Sequence, residues 1–185
     1  MQPITVLFVH LQGYVPLCEH IRPENVITLL SVYLEEVSQS VIRFDGTILK
    51  YLGGQVMAIW NAPASQVDHS IRAVRSASDI LLRSAGINRA LQERGLPAIR
   101  FGIGVSTGEA IVGMIGSTLH KQYDVIGDAV NTAVLLSRAA GSEILLSEAT
   151  REAIGNSVEV EEIEPLRLTG KREVLRIYRL IVDSA

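Results

Sequence analysis

Three runs of this 185-residue chain hold the side chains best suited to chemistry: Phe8-Val9-His10-Leu11-Gln12-Gly13-Tyr14, Lys50-Tyr51-Leu52-Gly53-Gly54-Gln55-Val56-Met57-Ala58, and Gln122-Tyr123-Asp124-Val125-Ile126-Gly127-Asp128-Ala129-Val130-Asn131. His10 interrupts an apolar stretch. A lone imidazole can join a transition metal but is a poor ligand for a hard divalent ion. No second ligand stands beside His10 in sequence, so a structural, hydrogen-bonded histidine is expected. Gly54 offers no side chain at all. Lys50, Asp124 and Asn131 supply a cation, a carboxylate and an amide; taken alone, they read as an exposed strand lysine, a turn acid and a helix residue.

The elements that must position these residues follow from periodicity. Residues 3 to 11 are apolar and β-branched on both sides, as in a strand covered on both faces. Arg22-Pro23-Glu24 opens a long helix with Val26, Leu30, Leu34, Val37 and Val41 at helical spacing. Thr47 to Leu52 and Gln55 to Asn61 form a hairpin whose Gly53-Gly54 turn permits positive φ at both positions. Asp68 is a candidate cap for a second long helix carrying Ile71, Val74, Ala77, Leu81, Ala85 and Leu91 and ending at Gly95. Ile99, Phe101, Ile103 and Val105 alternate with Arg100, Gly102 and Gly104, which predicts a strand with one apolar and one nearly bare face. Thr107-Gly108 is read as a turn into Glu109 to Ile115, and residues 116 to 123 as a polar excursion. A helix over about Asp128 to Arg138 follows, then a strand at Glu143 to Leu146, a short helix capped by Ser147, and strands near Val158 to Glu162 and Arg176 to Ile181. This order suits an α+β fold with a ferredoxin-like βαββαβ core and C-terminal additions. We expect one domain over residues 1–182, with residues 183–185 frayed.

Composition narrows the function classes. A chain of this length with 48% hydrophobic residues can bury one substantial core. A net charge of −3 and 5% aromatic content argue against nucleic acid as a partner. No apolar run approaches a membrane span and no signal peptide opens the chain, so no membrane contact and a cytoplasmic location are expected. Cys18, the single cysteine, is expected to be a small core residue.

The three runs resemble the catalytic segments of class III adenylate and guanylate cyclases, whose patterns are F-x-D-I-x-G-F, K-x-x-G-D-x-x-M-A and D-x-x-G-x-x-V-N-x-A-x-R. Supporting similarity lies in Phe101-Gly102-Ile103-Gly104-Val105-Ser106-Thr107-Gly108, Leu145-Leu146-Ser147-Glu148-Ala149-Thr150 and Leu166-Arg167-Leu168-Thr169-Gly170-Lys171. The six motifs stand in the family's order and cover almost the whole chain. The resemblance implies a dimer with sites shared across the interface, partly through the segment from about Gly113 to Tyr123. One protomer of such a dimer brings two metal-binding aspartates. The other brings a base-reading Lys and Asp, an Asn and Arg near ribose and phosphates, and a Lys for the triphosphate.

Here the metal positions are His10 and Gly54, neither a carboxylate. The base-reading positions are kept as Lys50 and Asp124, a pair that the family uses for adenine, and Asn131 is kept too. Leu135 replaces the arginine and Thr169 the phosphate lysine, with Lys171 two residues on. Removing one preorganised charge-stabilising group costs about 10²–10³ in rate, and several are missing together. The resemblance with these departures implies a degenerate cyclase-homology domain, catalytically inactive, without a cofactor, acting as a dimerising regulatory or nucleotide-sensing module in signal transduction. Its expected partners are an adenine nucleotide and another cyclase domain, as homodimer or heterodimer. The alternative is an active or partly active adenylate cyclase, turning ATP into cyclic AMP and pyrophosphate with Mg or Mn, through replacement residues or an intact partner chain.

Overall fold

The computed structural model describes residues 1–166 and 174–182. Its central strand is β1 (Gln2–Leu11), buried from Ile4 to Val9. On one side β1 pairs antiparallel with β3 (Gln55–Trp60), which pairs with β2 (Thr47–Leu52) at the sheet edge. On the other side it pairs with β4 (Phe101–Gly116), and β6 (Ile144–Ser147), β8 (Leu175–Leu180) and β7 (Val160–Leu166) complete the order β2-β3-β1-β4-β6-β8-β7. β5 (Lys121–Ile126) pairs with β4 alone. The strands β2-β3-β1-β4, with the helices between them, are the expected βαββαβ core.

Alternation along β1 sends its side chains into two cores. Leu7, Val9 and Leu11 join Val56, Ala58 and Trp60 against α2 (Pro23–Arg43), α3 (His69–Leu82) and α4 (Ser84–Gln92). Ile4, Val6 and Phe8 join Met57, Ile59, Ala129 and Ala133 on the opposite face, the latter two from α5 (Asp128–Ala139). α6 (Glu148–Ile154) starts as expected, with Ser147 Oγ accepting from the Thr150 amide at 3.3 Å.

The bare face of β4 is where α5 docks. A Cβ on Gly104 would lie 2.2 Å from the Ala133 carbonyl oxygen, and one on Gly102 2.5 Å from that of Ser137, so the helix backbone rests directly on these glycines.

Several expectations are corrected. A short helix, α1 (Tyr14–His20), occupies a stretch to which the sequence reading assigns no element; it buries no residue, so it leaves no apolar period to find. Cys18 sits half-buried on it and not in the core. The buried stripe of α2 is Leu29, Tyr33, Val37, Ser40 and Val41, one position away from the Leu30 and Leu34 chosen on spacing. The second long helix is two, parted at Arg83. Asp68 stands at the N-cap position without a capping bond, because its carboxylate accepts from Arg72 Nε at 2.7 Å. Thr107-Gly108 is no turn, since β4 continues through it beside Thr5 and Ile4. Of the polar excursion, Gly116 ends β4, residues 121–123 open β5, and residues 117–120 form the hairpin tip. In the Gly53-Gly54 turn only Gly53 has positive φ, at 59°.

Candidate nucleotide site

A shift of register between Ile48 and Lys50 places Lys50 opposite Met57, on the face that α5 covers. From the other side of the sheet the β4–β5 hairpin folds over this face, with Val112, Tyr123 and Val125 packed against the cluster of Phe8, Met57 and Ile59. Asp124, beside Val125, is thereby carried to the edge strand. Lys50 Nζ donates to Asp124 Oδ2 at 2.5 Å, with both side chains largely shielded. Asp124 also accepts from Gln122 Nε2 and from the Val125 amide. Burial alone would raise the Asp124 carboxyl, but the bonds from Lys50 and Val125, the Lys50 charge and Gln122 outweigh it and hold it below the ordinary range.

His10 and Gly54 are also brought together. His10 pairs with Gln55 across the β1–β3 ladder, and the Leu11 amide donates to the Gly54 carbonyl at 2.9 Å. Buried Tyr33 reaches that same carbonyl from α2 at 3.4 Å. Gln55 Nε2 lies 2.9 Å from His10 Nδ1. Burial, then the charge of Arg138, push the His10 imidazolium toward its neutral form. The cleft beside them, about 370 Å³, is lined by His10, Gly54, Gln55, Tyr14, Pro16 and Leu52 among others, and no carboxylate is among its lining residues.

α5 carries the remaining positions. Asn131 is exposed on it. Leu135 is half-buried against Leu136, Leu145 and Ile177, so it has become a packing residue. Thr169 and Lys171 lie outside the described residues. Arg138, three residues beyond Leu135, is the charged residue that the motif comparison passed over. Its spacing on the stripe of Asn131 and Leu135 was the available signal.

Residues 1–181 match the family described as the adenylate and guanylate cyclase catalytic domain. The chain belongs to this family. Adenylate cyclase 1 of Rhizobium meliloti (strain 1021) is 32% identical over 183 residues, which is 97% of this chain and 28% of that protein. The chain likewise spans 8% and 36% of two further curated adenylate cyclases it matches. Among solved structures, the adenylyl cyclase CyaB from P. aeruginosa superposes with a TM-score of 0.93 at 26% identity, covering 98% of this chain and 94% of that one. The guanylyl cyclase Cya2 superposes at 0.90 with 30% identity, covering 98% and 92%. Cyclases named for either base are thus similar to this chain at comparable identity, and the choice of base falls to local chemistry. Among the described residues no helix is long and apolar enough to cross a membrane.

The residues at the two positions that the resemblance assigns to magnesium, His10 and Gly54, do not fit that ion. Magnesium asks for oxygen ligands in near-octahedral geometry, whereas positions 10 and 54 carry an imidazole and a hydrogen atom. Among the described residues no group of three His, Cys, Asp or Glu side chains could hold a metal ion. A side chain at position 54 would also be crowded where it leaves the backbone: a Cβ on Gly54 would lie 2.8 Å from Leu11 Cβ and 3.0 Å from Tyr14 Cγ.

Proposed function

We propose that this cyclase-family domain makes no cyclic nucleotide by itself and serves as a dimerising module that recognises an adenine nucleotide. The observation that carries the reading is the pairing of a retained Lys50–Asp124 couple with a cleft at His10 and Gly54 that lacks every carboxylate. Lys50 would donate to an adenine ring nitrogen and Asp124 accept from its amino group. Both are engaged with each other, so adenine must replace a charge-assisted bond with weaker ones. Binding is therefore weak, prefers adenine to guanine and needs little magnesium.

Support for self-association comes from the hairpin, where Ile111, Met114, Leu119 and Ile126 are all exposed. A closed two-fold pair is the commonest way to cover such a face. The test is a cyclic AMP assay with ATP and Mg²⁺ or Mn²⁺, run beside calorimetric titrations with ATP and GTP. Binding of ATP without turnover is the expected result, and turnover by the purified chain overturns the reading.

A further inference from the structure

A cavity of about 220 Å³ lies between α5 and β8, on the face of β4 that α5 covers. Small residues create it. α5 meets β4 at Gly104, under the Ala133 carbonyl, and at Gly108, where an added Cβ would lie 3.3 Å from the Cβ of Ala129. Ser106 stands between these glycines on the same face, and its short side chain leaves space that Leu136, Leu175 and Ile177 help to line. Ser106 is 2% exposed, yet its hydroxyl bonds to no described residue. A buried hydroxyl without a partner is costly, so one that lines a cavity is a ready anchor for a ligand.

Charge and size narrow what that ligand can be. Glu109, Asp128 and Glu148 face a single cation among the described lining residues, Arg176, which Glu148 engages at 2.8 Å and Glu162 at 2.9 Å. Anions are therefore disfavoured. Glu109 is exposed, whereas the buried part of the wall, Ser106, Ala129, Thr132, Leu136 and Ile177, carries no charge to hold a cation. A cavity of about 150 Å³ accommodates benzene, so this one has room for a single ring with a short substituent and is too small for a nucleotide.

We propose that the cavity between α5 and β8 binds a small uncharged molecule made of one apolar ring and one hydroxyl, with the ring against Leu136, Leu175 and Ile177 and the hydroxyl on Ser106 Oγ. Lys50, Asp124 and Asn131 do not line this cavity, so the site is independent of adenine binding.

The experiment is a chemical-shift titration of the nitrogen-15-labelled chain with benzyl alcohol, toluene and benzoate. Benzyl alcohol is expected to give saturable shifts at the amides of Ser106, Ala129 and Ile177, toluene to bind more weakly, and benzoate to leave these amides unmoved. Ser106→Ala should weaken benzyl alcohol about threefold to tenfold and leave toluene unchanged, the signature of one lost hydrogen bond. Ser76→Ala removes another buried, unpartnered hydroxyl, on α3 and outside the cavity, and should leave both affinities as they are. Shifts that do not saturate, or that fall elsewhere on the chain, overturn the proposal. So do equal affinities of the parent and Ser106→Ala for benzyl alcohol, or benzoate binding as well as benzyl alcohol.

Discussion

Tyr14 lies over Gly54 so closely that a Cβ on the glycine would sit 3.0 Å from the Tyr14 Cγ atom. Leu11 Cβ crowds the same position at 2.8 Å, so this hairpin leaves a side chain at 54 no room. Backbone conformation is not the obstacle, because Gly53 and not Gly54 has the left-handed φ.

Gly54→Asp is therefore expected to lower unfolding free energy by about 1–3 kcal/mol through overpacking, measured by urea denaturation. Tyr14→Ala should cost less in that background than in the parent. Combined with His10→Asp, the change restores a carboxylate pair and calorimetric Mn²⁺ binding. A folded double variant that ignores Mn²⁺ refutes the placement of the old ligand positions at 10 and 54.

The Lys50–Asp124 pair is short and partly shielded, which puts its coupling near the upper end for surface pairs, about 1 kcal/mol. A double-mutant cycle with Lys50→Ala and Asp124→Ala measures it, and additive effects would show the pair to be energetically idle. Both single variants should also erase the preference for ATP over GTP.

Close docking of α5 predicts opposite outcomes for two glycines. Gly104→Ala pushes a methyl into the Ala133 carbonyl and Ser137 amide, and should cost about 3 kcal/mol or more. Gly86→Ala in α4 meets nothing within 4 Å and should gain about 0.5–1 kcal/mol from helix propensity. Thermal melts of the two variants on opposite sides of the parent are the expected result.

Below pH 6.5 two half-buried histidines begin to oppose folding. Burial lowers both from 6.5, aided at His10 by Arg138 and opposed at His69 by Asp68. The folded chain thus binds fewer protons than the unfolded one, so this stability is complete above 6.5 and declines as pH falls below it. Asp124, lowered from 3.8, loses its contribution only below 3.8, which keeps the two windows apart. Melting temperature should drop between pH 7.5 and 5.5, and His69→Gln, which can keep the bond to Thr5 Oγ1, should flatten the slope. A slope unaltered by His69→Gln would remove that residue from the account.

Charge at the hairpin should separate the protomers. Ile111 and Ile126 face each other across the β4–β5 ladder and are both exposed, so Ile111→Lys with Ile126→Lys places like charges in the proposed interface. Sedimentation is expected to show a dimer in the parent and a folded monomer in the double variant.

Local signals decided much of the outcome. The apolar run of β1, the period of α2, the Ser147 cap and the bare Gly102 and Gly104 positions are written in neighbouring residues, and six ordered motifs carry the family. Motif matching could also say that residues 10 and 54 lack carboxylates, because that is a matter of residue type. It could not say that Lys50 would meet Asp124, 74 positions away, since their distance depends on a register shift in β2 and on how far the β4–β5 hairpin folds over the sheet. Nor could it dock the Ser137 end of α5 over Gly102, the cross-strand partner of His10, which follows from α5 resting on two glycines of a strand paired with β1. Residue type is local, whereas the field in a cleft is the sum of charges that packing brings near.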